Sequence, residues 1–181
     1  MITGTIKGMK ISALTAVTLL VFSISAQAGD WEHAPKFSDF PVKKSFKGKP
    51  APARIKSREA RMFRSVLRDG AKSGPDFAGH FTVVVWGCGA DSFSLAVVDA
   101  RDGKVYFPPF SCITLAGGYD ALSIEGNNVD NPAYRKNSNL LIFAGAEDKP
   151  SLNPEDRSVQ FWVFQDGQFR LVYSIPAPRQ E

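Results

Sequence analysis

Two Asp-Gly pairs, each set between β-branched or aromatic runs, constrain this chain more than any other feature. Asp102-Gly103 separates residues 93–99 from 105–107, and Asp166-Gly167 separates 159–164 from 169–175. Glycine accepts positive φ without steric penalty, so such a pair between strand-like runs predicts a tight β-hairpin. Hairpin connections imply antiparallel pairing. Residues 81–86 form a further β-branched run, 140–144 an apolar strand, and 122–125 a short one. The expectation is a mainly β fold, bordering on α+β: an antiparallel sheet of about six or seven strands built from hairpins, with one N-terminal helix.

That helix is expected over residues 58–69. Ser57 is a suitable N-cap. Met62, Phe63, Val66 and Leu67 give an apolar stripe at helical spacing, and Gly70 suits the C-terminal stop. Arg58, Arg61, Arg64 and Arg68 occupy much of the remaining circumference. Such a run is either a solvated face or a surface that takes an anion, and these four are the candidate binding residues.

The first 28 residues read as an export signal. Lys7 and Lys10 precede an uncharged apolar stretch over 11–26, and Ala26-Gln27-Ala28 offers a small-x-small cleavage pattern. The stretch is interrupted by Thr15, Thr18, Ser23 and Ser25 and falls short of a membrane span. The expected mature protein is therefore periplasmic or secreted, with no transmembrane helix after cleavage. Residues 29–53 form a basic arm rich in Pro and Lys, and 54–181 a single globular domain. The arm is expected to lie across a sheet, with Phe40 and Phe46 inserted and its lysines in water.

Charge divides along the chain. Residues 29–75 hold twelve basic and five acidic side chains, whereas 76–181 hold eight and thirteen. The arm either rests against the acidic body or seeks an acidic protein or anionic envelope component. The small net charge of +4 argues against nucleic acid as a partner. Cys88 and Cys112 are the only cysteines. In an oxidising compartment an even count favours a disulfide, which would close a loop of about 25 residues. Two buried free thiols are the alternative.

Catalytic and metal chemistry find little support in the spacing. Trp86-Gly87-Cys88-Gly89 does not match the frame of a nucleophile elbow. His33, His80, Cys88 and Cys112 show no short ligand spacing, so no metal and no cofactor is expected. Asn127, Asn128, Asp130 and Asn131 lack the spacing of a calcium loop, and residues 126–131 read as a polar turn. Glu147-Asp148 and Glu155-Asp156 read as solubilising acids in turns. If a hydrolytic site exists, His80, Asp91 and Ser92 form the candidate polar site.

Phe77-Ala78-Gly79-His80-Phe81, followed by Val84-Val85-Trp86-Gly87-Cys88-Gly89, resembles a segment of small exported proteobacterial proteins. The Arg68 to Lys72 stretch, the hairpin from Ala96 to Tyr106 and Trp162…Gly167-Gln168-Phe169 extend that resemblance over about 55–175. It implies no activity and no site residues. Its members tend to carry a second cysteine soon after the first, where this chain reads Ala90-Asp91-Ser92. That leaves Cys88 either paired to Cys112 or without a partner.

The sequence therefore points to an exported, non-enzymatic binding module, in the manner of an inhibitor or immunity protein. Its expected surface is the arginine helix with the 108–138 loop. An envelope hydrolase built around His80 is the alternative, and a structural envelope protein the second. The partner, the oligomeric state and whether the 29–53 arm is ordered are not legible in the sequence.

Overall fold

A computed structural model describes residues 31–115, 121–124, 127–148 and 158–176. The expected export signal lies outside the described residues. Among those residues, no helix is long and apolar enough to cross a membrane.

Among the described residues ten antiparallel strands form: β1 Phe81–Gly89, β2 Ser92–Asp99, β3 Val105–Tyr106, β4 Ile113–Thr114, β5 Ala121–Ile124, β6 Asn127–Asp130, β7 Ala133–Tyr134, β8 Leu140–Glu147, β9 Ser158–Gln165 and β10 Gln168–Pro176. Eight belong to one sheet in the order β1-β2-β4-β8-β9-β10, with β3 beside β2 and β7 beside β8; β5 and β6 pair separately. The mainly antiparallel β architecture is as expected. Both Asp-Gly hairpins form: Val97 and Val98 face Tyr106 and Val105, and Phe164 faces Phe169. Asp166 and Gly167 hold φ of 54° and 76°, the backbone such a turn demands.

The polar turn expected over 126–131 is not seen at the described residues 127–130. Asn127–Asp130 is a strand, paired from Ala121↔Asp130 to Ile124↔Asn127. The amide of Asn131 is bonded to both backbone groups of Ala144, at 2.9 and 3.1 Å.

Both faces of β2, β8 and β9 are buried, which accounts for their near-continuous apolar runs. Phe81, Val83, Phe93, Leu95 and Val97 of β1–β2 meet Leu141, Phe143, Trp162 and Phe164 of β8–β9 in one core. The sheet thus curls so that its two halves face each other. The opposite face of β1–β2, with Val84, Ala96 and Val98, lies under the helical segment. The opposite face of β8–β9 packs on Phe37, with Ala34 and Phe40 at its margin. A bulge at Val172 lets β10 serve two cores. Phe169 packs with Phe164, whereas Tyr173 and Ile175, of the same parity, turn to the Phe37 side.

The arm is ordered along the body. Val42, Phe46, Ala51 and Arg54 donate backbone hydrogen bonds to Asn137, Gly79, Ala100 and Gly103. Phe37 is buried, Phe40 and Phe46 half-buried, and Lys43, Lys44, Lys47 and Lys49 exposed.

The expected single helix is two: α1 Arg58–Met62 and α2 Arg64–Gly70. Ser57 caps α1 through Ala60 N–H at 3.0 Å. Phe63 leaves helical geometry (φ −105°, ψ 21°) where its ring packs 4.6 Å from that of Trp86. The break changes the buried face. Met62 is 68% exposed, and the helical residues buried on the sheet are Ala60 and Leu67. α2 ends at Gly70 as expected, but without a left-handed cap: the φ of Gly70 is −61°, and the left-handed residue is Gly74. Gly70 is small because a Cβ there would meet the Val84 methyls at 2.6 Å.

Candidate functional site

The segment Phe77-Ala78-Gly79-His80-Phe81 is a tight turn that presents His80 at the entrance of β1. Phe77 and Phe81 exchange two backbone hydrogen bonds of 2.9 Å. Ala78 and Gly79 between them adopt positive φ of 44° and 78°. A left-handed alanine costs about 1–2 kcal/mol, so the surroundings must hold the turn. Gly79 N–H donates to Lys136 O at 2.6 Å, and Ala78 N–H to Ser138 O at 3.2 Å. Phe46 of the arm donates to Gly79 O at 2.8 Å. The His80 ring rests on Phe81, with centroids 4.0 Å apart.

His80 Nε2 is buried and has no hydrogen-bond partner among the described residues. It lies 3.8 Å from Asp99 Oδ2, beyond hydrogen-bond length. Asp99, only 3% exposed, ends β2 and receives Arg101. Arg101 backbone N–H donates to Asp99 Oδ1 at 2.8 Å, Nε to the same oxygen at 3.1 Å, and Nη2 to Oδ2 at 2.8 Å. Arg101 Nη1 has no partner among the described residues.

His80 and Arg101 open into a cleft of about 540 Å³, which Lys43, Tyr106, Asn139, Gln165 and Asp166 complete. Among the described residues that line it there is no Ser, Thr or Cys. Burial lowers the His80 pKa, the Arg101 charge lowers it further, and Asp99 opposes both. Burial raises the Asp99 carboxyl, but the hydrogen bonds and charge of Arg101 outweigh that and hold it below the ordinary carboxylate range. The imidazole is therefore neutral at pH 7, beside an ionised carboxylate and a fixed guanidinium.

A depressed folded-state pKa makes the His80 contribution to stability complete above about 6.5, the unfolded value. It is lost as pH falls from there through the folded value. A ring titration by NMR is expected to give His80 a midpoint below 6.5, and Arg101→Ala to raise it. An unchanged midpoint would remove Arg101 from the electrostatics of the ring.

Asp91 and Ser92 do not join His80. Phe81 pairs with Asp99 at one end of the β1–β2 ladder and Gly89 with Ser92 at the other, which separates His80 from Ser92 by roughly 30 Å. Ser92 Oγ is bonded to Ala90 O at 2.9 Å, and Asp91 forms the connecting turn with φ 48°. The polar site thus keeps His80 and gains Asp99, Arg101, Lys43 and Asn139. The Asp99-x-Arg101 spacing at the hairpin carried the only sequence signal for the pair, because an Asp side chain often accepts the N–H two residues on.

Arg58, Arg61, Arg64 and Arg68 are all exposed, and none forms an ion pair with a carboxylate among the described residues. Arg61 Nη1 caps Lys56 O at 2.8 Å. A second groove of about 540 Å³ runs between α2 and the arm, past Lys49, Pro52, Ser65 and Arg68. Cys88 and Cys112 form a disulfide, with Cα atoms 6.3 Å apart. Among the described residues, no three His, Cys, Asp or Glu side chains could together hold a metal ion. No family model, curated protein or solved structure matches this chain.

Proposed function

We propose that this protein is an exported, periplasmic binding module, not an enzyme, and that it recognises an anionic group of a protein or envelope component in the His80 cleft. The observation that carries this reading is the Arg101 guanidinium. Buried Asp99 fixes its Nε and Nη2, so the remaining edge is held at the cleft without a partner. A pre-oriented guanidinium loses little entropy on meeting a carboxylate or phosphate. Lys43 adds a second cation, while Gln165 and Asp166 offer acceptors for the rest of the ligand. The disulfide and the N-terminal leader pattern support the compartment.

Thermal unfolding with N-acetylglutamate, O-phosphoserine and neutral N-acetylglutamine tests the reading. Either anion is expected to raise Tm in the wild type, by linkage to binding, and to lose that effect in Arg101→Ala. N-acetylglutamine should do nothing. Equal shifts in wild type and variant, or no shift with any anion, would remove the cleft as the recognition site.

The proximity of His80 to Asp99 favours one other reading, a hydrolase in which His80 acts as base toward water. Ester hydrolysis that disappears in His80→Gln would establish it in place of the first.

A further inference from the structure

β1 is the outermost strand on its side of the sheet, and the half of its edge far from His80 is open. Phe81 turns both backbone groups outward to Phe77, and Val83 N–H turns outward to Asp76 Oδ1 at 2.9 Å. With the two-residue period of a strand, Val85 and Gly87 also point outward. No hydrogen bond reaches that side of Val85 or Gly87 among the described residues.

Sheet edges are usually blunted by charge or proline. Residues 81–90 contain neither, and Val85 is 39% exposed. Gly87 has no internal reason to be glycine. Its φ is not in the left-handed range, and the nearest atom to an added Cβ is Ser92 O at 3.9 Å. A strand glycine without internal crowding suits the close approach of another backbone. The disulfide at Cys88 fixes this end of the edge in advance.

The helical layer says what chemistry fits. α1 and α2 cover the outer face of β1, through Phe63 on Trp86 and Gly70 on Val84. They carry Arg58, Arg61, Arg64 and Arg68 without carboxylate partners. A strand added beside β1 would set alternate side chains toward this basic layer and the others toward Val85. Pairing β1 with β1 of a second copy would bring two arginine layers together, which like-charge repulsion opposes.

We propose that the open edge at Val85 and Gly87 takes up an extended acidic segment of a partner protein by strand addition, with the arginines of α1 and α2 reading its carboxylates. The backbone bonds supply affinity, and the alternating side chains supply selectivity.

The probe is a nine-residue peptide alternating Val and Glu, with its Val/Lys counterpart as control, and the readout is amide hydrogen exchange of the protein by NMR. The Val85 and Gly87 amides are expected to exchange rapidly in the free protein. The Glu peptide should slow them about tenfold or more, and the Lys peptide should not. Val85→Pro removes an outward N–H without touching a β1–β2 bond, so it should abolish the protection while Val97 stays slow. Should that variant fail to fold, Arg64→Glu on the exposed helix face should weaken the Glu peptide and favour the Lys peptide. Three results would overturn the proposal. The Glu peptide could leave both amides unprotected, the two peptides could protect equally, or protection could rise with protein concentration alone, which would assign the edge to a second copy.

Discussion

Gly79→Ala is expected to destabilise the protein by about 3 kcal/mol or more and to loosen the arm, whereas Gly87→Ala should change stability by less than about 0.5 kcal/mol. Both glycines belong to the β1 region, so the contrast isolates geometry from composition. Gly79 has a φ of 78°, and an added Cβ would strike the Lys44 carbonyl of the arm. The left-handed backbone does not by itself forbid a side chain. Ala78, one residue earlier, keeps its methyl at φ 44° and is 2% exposed. What forbids it at Gly79 is the backbone of the arm, which cannot yield as a side chain would. Relief requires moving Lys44, and with it the bond from Phe46 N–H to Gly79 O. The cleft would suffer as well, because Lys43 and His80 stand on the two sides of that contact. Urea denaturation measures the stability, and limited proteolysis within residues 36–53 reports the release of the arm. Equal effects at Gly79 and Gly87 would show that the arm does not depend on this contact.

What the sequence disclosed follows from how local each determinant is. The Asp-Gly hairpins were legible because the turn chemistry sits in two adjacent residues. Within the arm, proline, lysine and phenylalanine each suggest one place on a sheet surface, but its order along the body was not legible, because the backbone bonds that hold it come from Gly79, Ala100 and Asn137, far along the chain. The start of α1 was legible because Ser57 caps locally. Its continuation was not. The apolar stripe through Met62, Phe63, Val66 and Leu67 is unbroken in the sequence, and only the ring of Trp86, more than twenty residues on, explains why Phe63 leaves the helix and Met62 turns to solvent. The need for glycine at Gly70 was hidden for a similar reason, since its partner Val84 lies on β1. β4 and β7 are two residues each and present no period to read. The site behaved likewise. His80 stood out as the one histidine of the body, yet Asp99 read as a strand end and Arg101 as a turn residue until the β1–β2 ladder placed Asp99 opposite Phe81. Asp91 and Ser92 were chosen for residue type, and the length of β1 separates them from His80. Lys43 and Asn139 reach the cleft from segments about 40 and 60 residues away in sequence from His80, with no local mark.

Removing the disulfide, as Cys88→Ser with Cys112→Ser, is expected to lower stability by roughly 3 kcal/mol on the chain-entropy account of a loop this long. The two cysteines stand 24 positions apart and tie the last turn of β1–β2 to the start of β4. That location makes the effect more than a general one. Among the described residues, β4 is the ladder that joins the two halves of the sheet, with Ile113 facing Phe93 of β2 on one side and Glu147 of β8 on the other. It is only two residues long. Its other supports include Ile113, fully buried, the Leu115 N–H bond to Asp91 O at 2.7 Å, and Asp148, whose Oδ1 accepts from Ser111 and Cys112 N–H at 2.9 and 3.0 Å. The bond therefore acts on a seam that has little pairing of its own. The double variant should keep its β-sheet circular dichroism, unfold at lower urea, and show amide exchange at Ile113 and Thr114 accelerated beyond the global change. A loss below about 1 kcal/mol, with uniform exchange, would mean that the burial of Ile113 and the hydrogen bonds around β4 hold the seam without the cross-link, which then serves only the exposed end of β1.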